Sequence, residues 1–285
     1  MLCCRFEKKF ANRLQNECSE SVLFGSFPTE YMSTPRTVVI KVGTDVLKDL
    51  FAFSLIARQI AELKRTGVGA ILVSSGGVIA GSDYLTFIGG DPYAYQKRVL
   101  ASIGARSLLN RWGEAFALDR LAVAQFYITY GNLRFRGERE SIRSALRKLA
   151  FDTLVVPLVN ENDIVSGVEI SKMAQGLGDN DRLARIIANL VRATGIAFVT
   201  VRGGVYTANP DSDASATLLP YIDASRQFRG GRHNAGTSRN GVGGMGSKVR
   251  QASICARKGM EAGIIGPSDI IQFFDGRGVG TKVAV

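Results

Sequence analysis

Short apolar runs alternate with longer stretches of helical periodicity from Thr37 onward, and this alternation strongly limits the possible folds. Runs rich in β-branched residues predict strands, whereas apolar residues three to four positions apart predict amphipathic helices. The predicted strands are Thr37–Val42, Val68–Val73, Leu121–Ile128, Leu154–Val159 and Ile196–Val201, and the predicted helices are Phe51–Lys64, Gln96–Ala117, Glu138–Leu149, Asp181–Ala193 and Lys248–Lys258. Strands that are separated by helices need crossover connections, so we expect an α/β fold with a mainly parallel central sheet.

Composition excludes several kinds of site. The 285 residues include one histidine, His233, and four cysteines without metal-ligand spacing. A zinc site or a histidine-based acid/base mechanism is therefore not expected, and the cysteine usage fits a reducing, cytoplasmic compartment. No apolar run reaches 18 residues, so we expect no membrane-spanning helix.

The formal net charge of +11 admits three interpretations. A basic surface can neutralise nucleic-acid phosphates, can attract small anions such as a nucleotide and a carboxylate, or can simply keep the protein soluble. No nucleic-acid-binding motif favours the first interpretation, so we expect no nucleic-acid partner.

The chain divides at the first predicted strand. Residues 1–36 lack clear periodicity and carry three of the four cysteines, so we expect a flexible N-terminal extension. Residues 37–285, which carry the alternating pattern, form the predicted α/β domain.

Polar clusters follow the predicted strands at their carboxyl ends. They are Gly43-Thr44, Ser74–Gly77 and Asn160–Asp163. Ligands of open parallel sheets bind beyond this edge, so we expect the clusters to converge there. Each cluster by itself also suits an ordinary turn or helix cap.

Two lysines stand beside glycines in a way that suits phosphoryl oxygens. Lys41 precedes Gly43, and Lys248 ends a glycine-rich run from Gly241. The run is not a Walker A motif, because its last residues are Gly-Ser-Lys and no predicted strand precedes it. The carboxylates of Asp163, Asp179 and Asp181 could orient the lysines, hold Mg²⁺, bind a substrate ammonium group or cap a helix. Together these residues indicate phosphoryl transfer, which depends on positioning and charge neutralisation.

The same segments resemble the amino acid kinase superfamily, and within it the glutamate 5-kinase family. Seven segments occur in the family order: Val39–Thr44, Leu72–Gly76 with Ala80-Gly81, Val159–Val165, Gly178–Asp181, Gly204–Pro210, Gly243–Lys248 and Gly278–Thr281. The resemblance implies an αβα sandwich that transfers the γ-phosphoryl group of ATP to the side-chain carboxylate of L-glutamate, as the first step of proline biosynthesis.

The resemblance also implies site residues. Lys41 and Lys248 would neutralise charge on the transferred phosphoryl group, and Asp181 would hold them. Glutamate would contact Ser75, Gly76, Asp163 and Asn180. The nucleotide would contact Lys41, Gly43, Thr200, Val201, Val242, Gly243, Gly244, Met245, Gly246, Ser247 and Lys248. No metal ligand is assigned on the protein, because ATP would carry the Mg²⁺.

Some features depart from the family pattern. Val201 stands where the family usually has Asp, which removes a polar nucleotide contact and puts ATP affinity or nucleotide choice in doubt. Val242 stands where the family usually has Thr. The sequence ends at Val285, so we expect no C-terminal PUA domain. Proline is the expected feedback inhibitor, and a homo-oligomer is expected. The alternatives are a catalytically weak glutamate or proline sensor, or a related kinase that acts on another carboxylate.

Overall fold

The first strand, β1 (Thr37–Val42), lies at the centre of the sheet, and all six of its residues are buried. The computed structural model describes residues 35–165, 180–226 and 244–285, which belong to one unit that spans Pro35–Val285. Alternate residues of β1 face opposite sides, as the pleat of a strand requires. Val38, Ile40 and Val42 pack into one hydrophobic cluster, and Val39 packs into the other. A strand that is apolar on both faces must be covered on both faces.

An eight-stranded sheet surrounds β1, and it has the order β3-β4-β2-β1-β5-β9-β10-β8. The strands are β2 (Gly69–Ser74), β3 (Ala122–Ile128), β4 (Val155–Glu161), β5 (Gly195–Val199), β8 (Tyr221–Asp223), β9 (Glu261–Ile265) and β10 (Thr281–Ala284), while β6 (Val205–Tyr206) and β7 (Leu218–Leu219) form a separate antiparallel pair. The first six strands in that order are mutually parallel. β10 is antiparallel to β9 and parallel to β8.

Helices cover both faces of this sheet. They are α1 (Phe51–Arg65), α2 (Gly77–Phe87), α3 (Lys97–Ala117), α4 (Arg136–Phe151), α5 (Asn180–Val191), α6 (Met245–Ala256) and α7 (Ile270–Phe274), with 3₁₀ turns at Val46–Lys48 and Pro92–Ala94. The cluster that contains Ile40 includes residues of α1, α3 and α7, and the cluster that contains Val39 includes residues of α4, α5 and α6. The predicted αβα sandwich with a mainly parallel sheet is confirmed.

Helices α2 and α3 approach each other at backbone distance. A Cβ atom at Gly81 would lie 1.9 Å from the carbonyl oxygen of Leu100, and one at Gly104 would lie 2.0 Å from that of Gly77. Only glycine fits at these two positions, so the helix that follows β2 is held directly by the long helix α3.

Four strands end at the edge where the polar clusters were expected. β1, β2, β4 and β5 are parallel and adjacent, so Lys41, Ser75, Asn160 and Thr200 lie toward the same edge. No helix among the described residues is long and apolar enough to cross a membrane.

Candidate active site

Lys41 lies on the same face of β1 as Val39, because the two residues are two positions apart in a strand. Helix α5 packs against this face through Leu183 and Ile187. The first turn of α5 contains Asp181, whose side chain is 1% exposed. The strand and the helix thereby bring a cation and an anion together: Lys41 Nζ lies 2.6 Å from Asp181 Oδ1.

A second lysine reaches the same carboxylate. Lys248 Nζ lies 3.2 Å from Asp181 Oδ2, so each carboxylate oxygen pairs with one ammonium group. Lys248 is in the first turn of α6, which begins at Met245, three residues before the predicted start. The first turn of α6 therefore positions Lys248 beside Asp181.

The two lysines keep Asp181 ionised although it is buried. Loss of solvent is the largest influence on the pKa of Asp181 and would raise it, but the charges of Lys41 and Lys248 and their hydrogen bonds lower the pKa below its ordinary value. Its place in the first turn of α5 adds favourable interaction with the helix dipole. The three side chains together carry one net positive charge, in a setting that excludes most water.

Glycines leave room beside these charges. A Cβ atom at Gly43 would lie 3.8 Å from Lys41 Nζ and 3.5 Å from the carbonyl oxygen of Val199, so a longer side chain there would extend over the ammonium group. Gly76 has φ of 103°, in the left-handed region that favours glycine, and it directs the chain from β2 into α2. Among the described residues, no side chain caps the N-terminus of α2 or α6. The backbone N–H groups of the first residues of each helix, which no side chain caps, suit an anion.

The residues expected to bind glutamate lie around the ends of β2 and β4 and at the start of α5. Ser75 is buried, and its N–H donates to the carbonyl of Val42 over 3.1 Å. Burial raises the pKa of Asp163 above its ordinary value. Asn180 Oδ1 is buried and accepts no hydrogen bond from the described part of the chain. A ligand with donor groups would satisfy the Asn180 amide oxygen.

The residues expected to contact the nucleotide are only partly described. Thr200 follows β5, and its N–H donates to the carbonyl of Ile265 over 2.8 Å. The strand ends at Val199, so Val201 lies in the following turn with its side chain 59% exposed. Gly244, Met245, Gly246 and Ser247 lead to Lys248. Val242 and Gly243 lie outside the described residues.

A hydrogen-bond chain behind the ends of β2 and β4 was missed by the sequence analysis. Trp112 Nε1 donates to Ser74 Oγ over 3.0 Å, and Asn160 Nδ2 donates to the Ser74 carbonyl over 2.8 Å. Gln125 Nε2 in turn donates to Asn160 Oδ1 over 3.0 Å. Asn160 and Ser74 were in predicted clusters, but no sequence signal connects Trp112 or Gln125 with them.

Within the described ranges, no group of three or more histidine, cysteine or acidic side chains could hold a metal ion directly. Two lysines, one carboxylate and uncapped helix ends suit a polyanion such as a nucleoside triphosphate.

Comparisons with known proteins show the family of this chain. The sequence model described as the amino acid kinase family matches residues 36–266. Relatives named glutamate 5-kinase include one from Vibrio vulnificus (strain YJ016), which is 34% identical over 239 residues that cover 80% of this chain and 60% of the relative. Another, from Pasteurella multocida (strain Pm70), is 31% identical and covers 89% of this chain and 70% of the relative.

Solved structures show the same fold. A carbamate kinase from Giardia lamblia bound to AMP-PNP has a TM-score of 0.59 at 16% identity, over 89% of this chain and 99% of that one. An isopentenyl phosphate kinase has a TM-score of 0.56 at 18% identity, over 87% and 100% of the two chains. This chain spans 60% of the length of the Vibrio relative. On the family match, the fold and the shared sequence, the chain belongs to the amino acid kinase family.

Proposed function

We propose that this protein is a glutamate 5-kinase. It transfers the γ-phosphoryl group of ATP to the side-chain carboxylate of L-glutamate and forms γ-glutamyl phosphate, the first step of proline biosynthesis. The observation that carries the proposal is the buried Asp181 carboxylate, which pairs with both Lys41 and Lys248 at the ligand-binding edge of the sheet. The relatives named glutamate 5-kinase support the choice of substrate.

The two lysines have the charge that phosphoryl transfer needs. Negative charge spreads over the oxygens of the transferred group in the transition state, so fixed cations stabilise it without reorganisation. Asp181 is the positioning residue, because it holds both ammonium groups and leaves them one net positive charge. Lys41 and Lys248 are the catalytic residues.

The nucleotide lies along the glycine-rich side of this cluster. Gly244, Met245 and Gly246 present backbone N–H groups to the phosphates, and Ser247 and Lys248 follow in the same turn of α6. Gly43 leaves room for the phosphates beside Lys41, while Thr200 and Val201 border the nucleotide from the end of β5. The segment continues to Val242 and Gly243. Mg²⁺ bound to the ATP phosphates would neutralise further charge on them.

Glutamate binds at the ends of β2 and β4. Its ammonium group pairs with Asp163, because a cation would offset the burial that now disfavours the ionised carboxylate. Asn180 Oδ1 accepts a hydrogen bond from the same ammonium group. Ser75 and Gly76, at the start of α2, orient the carboxylate that reacts.

The reaction needs no general base. A glutamate side chain has an ordinary pKa of about 4.3, so its carboxylate is already an ionised nucleophile at neutral pH. This agrees with a site that is built from two lysines, carboxylates and amides.

The direct test is to trap the acyl phosphate. Protein with ATP and Mg²⁺ is incubated with hydroxylamine and with glutamate, aspartate or acetylglutamate in parallel, and the hydroxamate is quantified. We expect hydroxamate with glutamate and far less with the other acceptors. An equal yield with glutamate omitted would contradict the proposal.

We also propose that proline inhibits by competing with glutamate. The segment between Ser166 and Gly178, which lies outside the described residues, connects the two glutamate-binding clusters in sequence. Competition predicts that the apparent KM for glutamate rises with proline while kcat stays constant. An unchanged KM at millimolar proline, a typical concentration for metabolite effects, would reject this regulation.

We also propose that the protein is a homo-oligomer and that it acts in the cytoplasm. Analytical ultracentrifugation of the full chain measures the assembly directly, and a purely monomeric protein at micromolar concentration would contradict it.

A further inference from the structure

The end of β2 is fixed by a continuous chain of hydrogen bonds that no proposed catalytic role explains. The Ser74 hydroxyl donates to the Ser75 carbonyl over 2.9 Å and accepts from Trp112 Nε1 over 3.0 Å. The Ser74 carbonyl accepts from Asn160 Nδ2, and Asn160 Oδ1 accepts from Gln125 Nε2. This hydrogen-bond chain therefore connects α3, β2, β4 and β3.

Each member of the chain has only one arrangement that satisfies its neighbours. The Ser74 hydroxyl donates its single proton to the Ser75 carbonyl. If the Ser74 side chain rotated, it would lose both this hydrogen bond and the one that it accepts from Trp112. A flipped Asn160 amide would put its NH₂ group against the donor of Gln125 and its oxygen against a carbonyl. The chain thus selects one conformation of the strand end.

Tight packing holds the chain at its α3 end. The Trp112 side chain is fully buried, and its ring centroid lies 4.6 Å from that of Phe53 and 5.9 Å from that of Phe116. The indole donor is thus held in one position by packing. Gln125, on the half-buried edge strand β3, also donates to the Leu158 carbonyl over 3.2 Å, which holds the other end.

The chain acts directly on a residue of the proposed glutamate site. The Ser75 N–H is bound to Val42 and its carbonyl to Ser74, so both flanking peptide groups are oriented within the protein. The direction in which the Ser75 side chain leaves the backbone follows from that orientation.

We propose that Trp112 and Gln125 are positioning residues for glutamate binding, which act through Ser74 and Asn160 on the conformation of Ser75. The inference rests on the proposed function, since it assigns glutamate to Ser75. It implies that glutamate bound at Ser75 perturbs the Trp112 indole N–H through Ser74. Loss of a link weakens glutamate binding while phosphoryl transfer and ATP binding continue.

Kinetics of matched variants test the inference. Gln125→Met keeps the approximate length of the side chain and removes the donor, and we expect the glutamate KM to rise about tenfold, with kcat and the ATP KM within about twofold of wild type. Ser74→Ala should act similarly, and Ser74→Thr, which keeps the hydroxyl, should restore the KM. Because Ser74 is fully buried, Gln125→Met provides the test even where Ser74→Ala does not fold.

Gln59→Met is the control. Gln59 is also buried, but it accepts from the Ile270 N–H over 2.9 Å and donates to the Pro267 carbonyl over 2.5 Å, at the start of α7. It should lower the melting temperature and leave the glutamate KM unchanged. If Gln125→Met and Ser74→Ala also lower the melting temperature without changing the glutamate KM, the hydrogen-bond chain serves stability alone and the inference is overturned.

The indole signal gives a readout that does not depend on catalysis. Trp112 is the only tryptophan in the sequence, so protein labelled with ¹⁵N at the indole gives one indole N–H resonance. We expect glutamate to shift this resonance in wild type and to shift it only at higher glutamate concentration in Gln125→Met. Hydroxamate formation by wild type with no shift on glutamate addition overturns the inference alone. A wild type that forms no hydroxamate contradicts the proposed function, and the inference falls with it.

Discussion

Replacing Asp181 would leave two buried ammonium groups facing each other, because Lys41 and Lys248 both pair with its carboxylate. Removal of one partner of a buried ion pair commonly costs about 3–5 kcal/mol. A single carboxylate that holds two cations therefore couples the stability of α5 and α6 to the electrostatics of the proposed reaction.

At the scale of single residues, the proposal separates catalysis from substrate binding. We expect Lys248→Ala to lower kcat by roughly 100-fold or more with a small effect on the glutamate KM, because the charge acts mainly on the transition state. Asp163→Ala should instead raise the glutamate KM. Steady-state kinetics with both substrates varied measures the difference.

Lys258→Ala is the matched control for Lys248→Ala. Lys258 is an exposed lysine that follows the same helix and donates to Asn189 Oδ1 over 2.8 Å. It should leave kcat unchanged. If Lys248→Ala and Asp163→Ala altered only the ATP KM, the assigned roles would be wrong.

At the scale of elements, the contact between α2 and α3 predicts opposite effects for two glycines of one helix. Gly104→Ala places a Cβ atom 2.0 Å from the Gly77 carbonyl oxygen, so the helices must separate and the free energy of unfolding should fall by several kcal/mol. Gly113→Ala, with nothing within 4 Å of its Cβ atom, should raise it by about 0.5–1 kcal/mol. Urea unfolding measures both, and a loss of stability in both variants would contradict the explanation by contact.

The α1–α4 contact predicts a pH dependence. Lys64 Nζ donates to the carbonyls of Leu149 and Ala150, at the end of α4. Burial lowers the pKa of Lys64 to about 8 from the ordinary 10.5, against a smaller opposing effect of the Asp152 charge. Between these pH values the unfolded chain binds more protons than the folded chain, so stability rises with pH.

Lys64→Met lacks this titration. The free energy of unfolding of wild type minus that of Lys64→Met should therefore increase from about pH 8 to pH 10 and stay constant below about pH 7. Chemical unfolding across this range provides the measurement. A difference that decreases with pH would show that Lys64 is not buried as described.

Local sequence patterns predicted most of the long elements, but they gave no bounds for the 11-residue helix α2 and did not predict the strands from β6 onward. The prediction of Thr37–Val42 matches β1 residue for residue, because all six residues are buried and all but Lys41 are β-branched. β9 was not predicted, since Gly263 interrupts the apolar pattern. Its missing side chain is replaced by the ring of Phe273, 2.4 Å from where a Cβ atom would lie. A contact of that kind is visible only in three dimensions.

The same distinction holds for the candidate site. The convergence of the polar clusters followed from the parallel topology, because parallel strands present their carboxyl ends at one edge. Trp112 and Gln125 could not be found in this way. Their partners on β2 and β4 are distant in sequence, and neither residue belongs to a recognisable motif.

At the scale of the whole molecule, the two hydrophobic clusters of the described residues begin at Val38 and Val39. Residues 1–36 lack clear periodicity in the sequence, so we expect that deletion of residues 1–31 leaves a folded protein with wild-type kcat. Circular dichroism and the hydroxamate assay, compared between the full chain and the truncated chain, check this. A large fall in melting temperature would show that the first 31 residues stabilise the domain.

The order of the strands in the sheet also determines when each strand can pair with its neighbour during translation. β8 joins the sheet through β10, yet β8 ends at Asp223 and β10 begins at Thr281. A ribosome that adds about 5–20 residues per second needs several seconds to cover this distance. During that interval β8 has no neighbouring strand, and once β9 has been made, its far edge stays exposed to other nascent chains until β10 follows. Slow translation after Asp223 should therefore favour aggregation, whereas the β1–β2 pair, which is close in sequence, can form early.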